Sequence, residues 1–206
     1  MLLNQIIQLA STGELRNLSV KDDTATVLDY VNLGVIELYK RFPLNVGEYV
    51  FERTLASDIY TLPNDCMWLM EAYGPVTAFG STIPKIQELP INDPTLGYSI
   101  NTISWNKIQV GPQIATGMIS IIYAVTAPQY TIDDLNTEVA LPEQFIEPLL
   151  NYIGYRGHGA LDGNIQAESN THYQRFERGC ERIRKEGMYT RDTVDMDNRI
   201  IDRGFV

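Results

Sequence analysis

Side chains suited to nucleophilic or metal chemistry are scarce in this sequence: His158 and His172 are its only histidines, and Cys66 and Cys180 its only cysteines. A hydroxyl or thiol nucleophile needs a base to take its proton, so such a centre would have to recruit one of these two imidazoles. His158 stands among glycines in Gly154-Tyr-Arg-Gly157-His-Gly159, where a polar residue near a helix carboxyl end is the simpler reading. His172 follows Glu168 by four residues, the spacing of a surface pair on a helix. Neither a His-Glu-x-x-His helix nor a Cys-x-x-Cys pair offers zinc a home, and there is no Gly-x-x-x-x-Gly-Lys-Ser/Thr phosphate loop. Asp195-Met-Asp197-Asn198 is a fragment of a calcium loop without its central Gly or terminal Glu, and reads better as solvated tail. Asp133-Asp134 with Glu138 could be drawn as an acid–base pair, but no apolar pocket is implied around them and a solvated cap fits better. Asn17-Leu-Ser19 matches a glycosylation sequon, which means nothing without secretion. No catalytic residue, metal or cofactor is expected.

Charge offers more. Arg175, Arg178, Arg182, Arg184 and Lys185 form the one basic concentration. Glu177, Glu181 and Glu186 are interleaved, and Glu181 lies a helical turn before Lys185, so these residues suit an ordinary charged helix face. The alternative is an interface with an acidic neighbour or the DNA backbone. Beyond them, Met188–Val206 has no usable periodicity: Asp and Arg alternate, and Ile200, Ile201, Phe205 and Val206 are apolar. A segment of this kind is expected to order on a partner. Against 16 Lys and Arg stand 26 Asp and Glu, a formal net charge of -10. That balance argues against sequence-specific nucleic-acid binding, though an acidic wall would keep a duplex from sticking in a channel.

The elements that must position these residues follow from periodicity. Residues 2–10 read as a short amphipathic helix with Leu3, Ile6, Ile7 and Ala10 on one face. A longer helix is expected from about Asp22 to Arg41, capped by Asp22, Asp23 and Thr24. Its stripe is Val27, Val31, Val35, Leu38 and Phe42, and Pro43 stops it. From Tyr49 to Pro128 the texture turns to Val, Ile, Thr and Tyr with Gly and Pro punctuation, so strands are expected at Tyr49–Leu55, Ile59–Leu62, Met67–Val76, Ile103–Val110 and Met118–Val125. Residues 84–101 look like an irregular connection. Leu141-Pro-Glu143 then opens a helix with Phe145, Leu149, Tyr152 and Ile153 inward and Pro148 awkward within it. After a turn at Leu161–Asn164, a second helix runs to Glu186 with Tyr173, Phe176, Cys180 and Ile183 as its seam. Gly154, Gly157 and Gly159 imply either close packing of this hairpin, the favoured reading, or an early helix end.

The fold class is therefore α+β: one helical domain from residues 1–43 and 139–187, an inserted antiparallel β-region at 44–138, and an extended C-terminal arm at 188–206. The N-terminus lacks a positively charged leader, and no apolar run approaches the ~20 residues of a membrane helix. Two distant cysteines give no disulfide framework. A soluble chain made in a cytoplasm is expected.

Several passages carry a resemblance. Val27-Leu-Asp-Tyr-Val-Asn-Leu-Gly-Val-Ile-Glu-Leu-Tyr-Lys-Arg-Phe-Pro43, Ile59-Tyr-Thr-Leu-Pro-Asn-Asp-Cys-Met-Trp68, and Val139-Ala-Leu-Pro-Glu-Gln-Phe-Ile-Glu-Pro-Leu-Leu-Asn-Tyr-Ile153 followed by Tyr173-Gln-Arg-Phe176 resemble, in that order, the head-to-tail adaptors of short-tailed phages, of the tail tubular protein A type. The resemblance implies a structural, non-enzymatic virion subunit at the head–tail junction. It implies a ring of twelve copies beneath the portal protein, with a channel through which genomic DNA passes. The helical part would face portal and neighbouring copies, and the β-part a tail nozzle or tail-fibre protein. No membrane partner is implied. Another neck or tail-completion protein, or a motif-free ligand-binding domain, remains open as an alternative.

Overall fold

The computed structural model describes residues 1–77, 83–159 and 166–186. The architecture is α+β, and the chain divides into two compact units: Met1–Phe42 together with the described residues from Pro128 onward, and Pro43–Ala127.

The first unit is helical. Helix α1 (Leu3–Thr12) buries Leu3, Ile6, Ile7 and Ala10, and a 3₁₀ turn at Ser19–Asp22 leads into α2 (Thr24–Arg41). The Asp23 carboxylate caps α2, accepting from the Ala25 and Thr26 backbone N–H groups at 3.1 and 3.3 Å and satisfying donors that have no partner within the helix. Val27, Val31, Val35 and Leu38 are fully buried along one stripe. The helix ends because the residue before a proline is driven out of the helical region: Phe42 has φ -134° and ψ 133°. Its ring then meets Phe145 edge-on at 5.0 Å.

Helix α3 (Ile146–Gly159) follows a 3₁₀ turn at Glu143–Phe145, which sets Pro148 in the first turn, where a missing N–H costs nothing. Helix α4 is Gln166–Lys185. Helix α3 continues through all three glycines, because each accepts a neighbour. A Cβ on Gly154 would stand 2.9 Å from His172 Nδ1, one on Gly157 would collide with Leu15, and one on Gly159 would meet Ser169 Oγ at 3.2 Å. Close packing is thus the reason for them.

Residues 128–138 group with the helices, although their composition reads as part of the β-region. Asn32 and Tyr130 exchange two hydrogen bonds of 2.8 and 2.9 Å, and Leu3 N donates to Thr137 O at 3.0 Å. Long-range pairing to α1 and α2 decides where this loop belongs, and loop composition carries no trace of it.

The second unit is antiparallel β. A four-stranded sheet runs β1-β7-β3-β4, with β1 at Val46–Arg53, β3 at Cys66–Val76, β4 at Lys85–Glu88 and β7 at Gly117–Val125. A three-stranded sheet runs β2-β6-β5, with β2 at Ile59–Thr61, β5 at Ile100–Ser104 and β6 at Lys107–Val110. Phe51, Ala72, Ile119 and Ile121 of the first sheet share one core with Ile100, Ile108 and Val110 of the second. The structure differs from the pattern-based strands in two places. Ile103–Val110 is two strands of a hairpin, turned at Trp105-Asn106, rather than one. Strand β4 lies in the stretch expected to be irregular; it is an edge strand exposed at all four residues, so it carries no apolar alternation to read.

Candidate partner interface

The α3–α4 hairpin places the basic residues. Phe176, Cys180 and Ile183 are buried at 0%, 1% and 1% exposure, and Ser169 Oγ donates to the Tyr155 carbonyl at 3.1 Å, tying the helices together. Tyr173, expected in the same seam, is instead 37% exposed at its border. With about 3.6 residues per turn, Arg175, Arg178, Arg182 and Lys185 come to the opposite, solvent-facing side. Arg184 falls elsewhere and lies over the Phe42 ring at 5.6 Å. Arg182 is joined to Glu147 at 2.7 Å, an exposed pair that contributes little to stability. The basic concentration is therefore divided: an outward stripe of four, and one residue spent on an aromatic face. Ile200, Ile201, Phe205 and Val206 lie outside the described residues, as do the expected turn at 161–164 and the Asp195–Asn198 segment.

Within the helical unit, one network escapes sequence reading. Arg41, in the last turn of α2, donates to both carboxylate oxygens of Glu177 at 2.7 and 2.8 Å and to Glu37 at 3.1 Å, and it lies 4.6 Å from the centroid of the Phe176 ring. The hydrogen bonds from Arg41 hold the Glu177 carboxyl below its ordinary range, and those to Glu177 raise the guanidinium further. Arg41 and Glu177 stand 136 residues apart, so only the fold introduces them. Part of the negative charge interleaved with the basic stripe is thereby already neutralised.

The residues with chemical potential are mostly spoken for. Cys66 and Cys180 are buried, and burial pushes both thiols up to about 11, which leaves them protonated and poorly nucleophilic. Asp134 accepts from the Thr131 N–H and hydroxyl, both at 2.7 Å, as a turn cap, and these bonds lower its pKa. His158 and His172 stack with ring centroids 5.0 Å apart. The Glu14 carbonyl lies 3.1 Å from His158 Nε2 and, because it can only accept, fixes the proton on that nitrogen. The Glu14 carboxylate lies 3.2 Å from His172 Nδ1. Neither the pairing of the imidazoles nor the role of Glu14 has a signal in local spacing. Among the described residues, no group of three or more His, Cys, Asp and Glu is arranged to hold a metal ion, and no helix is long and apolar enough to cross a membrane.

The chain is thus a two-unit α+β protein with an outward charged helix face and buried cysteines. The model of the SU10 adaptor protein family matches residues 1–200, and the chain belongs to that family. It is a phage adaptor and a structural protein of the virion. Nothing among the curated proteins matches it.

Proposed function

We propose that the protein is a non-enzymatic subunit of a ring, of twelve copies, that sits beneath the portal at the head–tail junction, connects capsid to tail and leaves a channel for DNA. The family match across residues 1–200 carries this reading. In it, the outward stripe of Arg175, Arg178, Arg182 and Lys185, with Arg184 at its flank and the apolar Ile200, Ile201, Phe205 and Val206 of the C-terminal segment, faces the portal and neighbouring copies. The β-unit offers a second surface: Leu55 is 90% and Trp105 73% exposed, and an exposed Trp is a common anchor in protein interfaces. We assign that surface to the tail-side partner, a nozzle or fibre protein, as in adaptors of the tail tubular protein A type. The net charge of -10 suits a channel that passes DNA without holding it.

The test is to mix the purified chain with the portal ring of the same virus, weigh the product by light scattering and image it in negative stain. A stoichiometric extra ring on one face of the portal is the expected result. A chain that stays monomeric and leaves the portal mass unchanged overturns the assignment and favours another neck or tail-completion role.

A further inference from the structure

The helical unit contains a cleft of about 460 Å³ whose lining is unusual for an acidic protein. One wall is the link after α1, which contributes Glu14, Arg16 and Asn17; the other is α3 and α4, with His158, His172 and Arg175. Glu14 is the sole carboxylate in the lining, and it lies at His172 Nδ1. Arg16 and Arg175, by contrast, are exposed at the cleft, and neither guanidinium has an ion pair among the described residues.

From this geometry we infer that the cleft is a receptor for one acidic side chain of a protein partner, bound by Arg16 and Arg175 against the stacked imidazoles of His158 and His172. Two guanidinium forks facing one concavity match a carboxylate bidentately, and the Asn17 amide can add a neutral donor. At about 460 Å³ the cleft is in the size range of a site for one small ligand or a short piece of peptide. Nucleic acid is the less favoured occupant. A duplex is held by many phosphate contacts made together, whereas this cleft offers two guanidiniums on a chain of net charge -10. The architecture supports a fixed receptor. Gly154 leaves room for the His172 ring against α3, Gly157 leaves room for Leu15 beneath the link, and the Glu14 carbonyl holds His158. Gly154 thus makes room for a residue that lines the cleft as well as for the helix contact.

This inference does not depend on the portal reading and is tested without a portal. The chain has two histidines, so imidazole ¹H–¹⁵N correlations give two signal sets, told apart with His158→Gln. The full-length protein is titrated with a capped Gly-Asp-Glu-Asp-Gly peptide, and separately with inorganic phosphate and with a short DNA duplex. The expected result is a saturable peptide-induced shift of both imidazole signals. In R16Q/R175Q the affinity should fall roughly tenfold or more, as loss of charge-assisted contacts implies. In R156Q, an exposed arginine outside both the cleft lining and the basic stripe, it should be unchanged. No imidazole shift with peptide, or equal peptide affinity in R16Q/R175Q and the parent chain, overturns the site. Tighter binding of phosphate or DNA than of peptide, with the same two signals moving, overturns the protein-carboxylate assignment in favour of a phosphate site. Because Arg16 and Arg175 are exposed, R16Q/R175Q should keep the parent circular dichroism, so that a lost peptide affinity reports the cleft and not the fold.

Discussion

Arg41 shows how much of the helical unit rests on single polar residues. Its three short hydrogen bonds to Glu177 and Glu37 are charge-assisted, and its guanidinium is mostly covered, at 21% side-chain exposure. Arg41→Gln should therefore cost about 2 kcal/mol, read as a lower urea midpoint. Glu177 adds a pH signature. Its folded pKa lies below the ordinary 4.5, so the stability it contributes is present above that pH and is lost as pH falls through the folded pKa. The advantage of the parent chain over Glu177→Gln should accordingly shrink in acid; an advantage constant from pH 7 to pH 3 would contradict the pairing. Cys180 behaves oppositely. Its folded pKa is raised from 9.0 to about 11, so the contribution of the neutral thiol is complete below 9.0 and declines as pH rises through about 11. A thiol reagent applied to the native protein at pH 8 should label Cys180 only as fast as the protein unfolds, and rapid labelling would show the seam to be open.

At the scale of elements, helix packing depends on side chains that are missing. Gly34, on α2, faces Leu149 and Tyr152 of α3, and a Cβ there would approach Tyr152 Cδ1 to 3.2 Å. Glycine lowers helix propensity by roughly 1 kcal/mol relative to alanine, so its presence in α2 needs this contact as its reason. Gly34→Leu should destabilise the protein by about 1–3 kcal/mol despite its better propensity, because the buried Leu149 has little room to move. Chemical denaturation decides it, and a neutral result would mean that α2 and α3 slide apart without cost. Strands β5 and β6 pose the complementary case. Their hairpin turn, Trp105-Asn106, stands at the tip of the smaller sheet with the indole largely in solvent, so that side chain is available for recognition rather than for the core.

For the whole molecule, the consequence of two units is an insertion whose ends meet. Strands β1 and β7 pair along Val46–Arg53 and Gly117–Val125, and Val125 N donates to Asn45 O at 3.0 Å, closing the β-unit at the point where its chain enters and leaves. It has its own core and needs no helix to complete either sheet. Residues 43–127 expressed alone should therefore fold and unfold cooperatively. Both tryptophans, Trp68 and Trp105, lie in this unit, so the isolated fragment should reproduce the native tryptophan emission spectrum. A fragment with the emission of unfolded chain would show that the insertion depends on the rest of the protein.

The amino-acid sequence by itself determined the elements whose causes are local. The four-four-three-four stripe from Val27 to Phe42, the Asp23 cap, the Pro43 stop, the Leu141-Pro-Glu143 start and the Phe176-Cys180-Ile183 seam are each written within a few residues, because burial on a helix repeats with its turn. The resemblance of those passages to phage adaptors followed from the same elements in order. Tertiary structure alone decided what depends on residues far apart. It joined Arg41 to Glu177, brought Glu14 to His172, gave residues 128–138 to the helical unit, and split the five basic residues into an outward stripe and a ring contact. It also gathered Arg16 and Arg175 at one cleft. The physical reason is the same in each case: periodicity reports which face of an element is buried, but a hydrogen bond or a cleft is made between elements, and its partners carry no mark in sequence spacing.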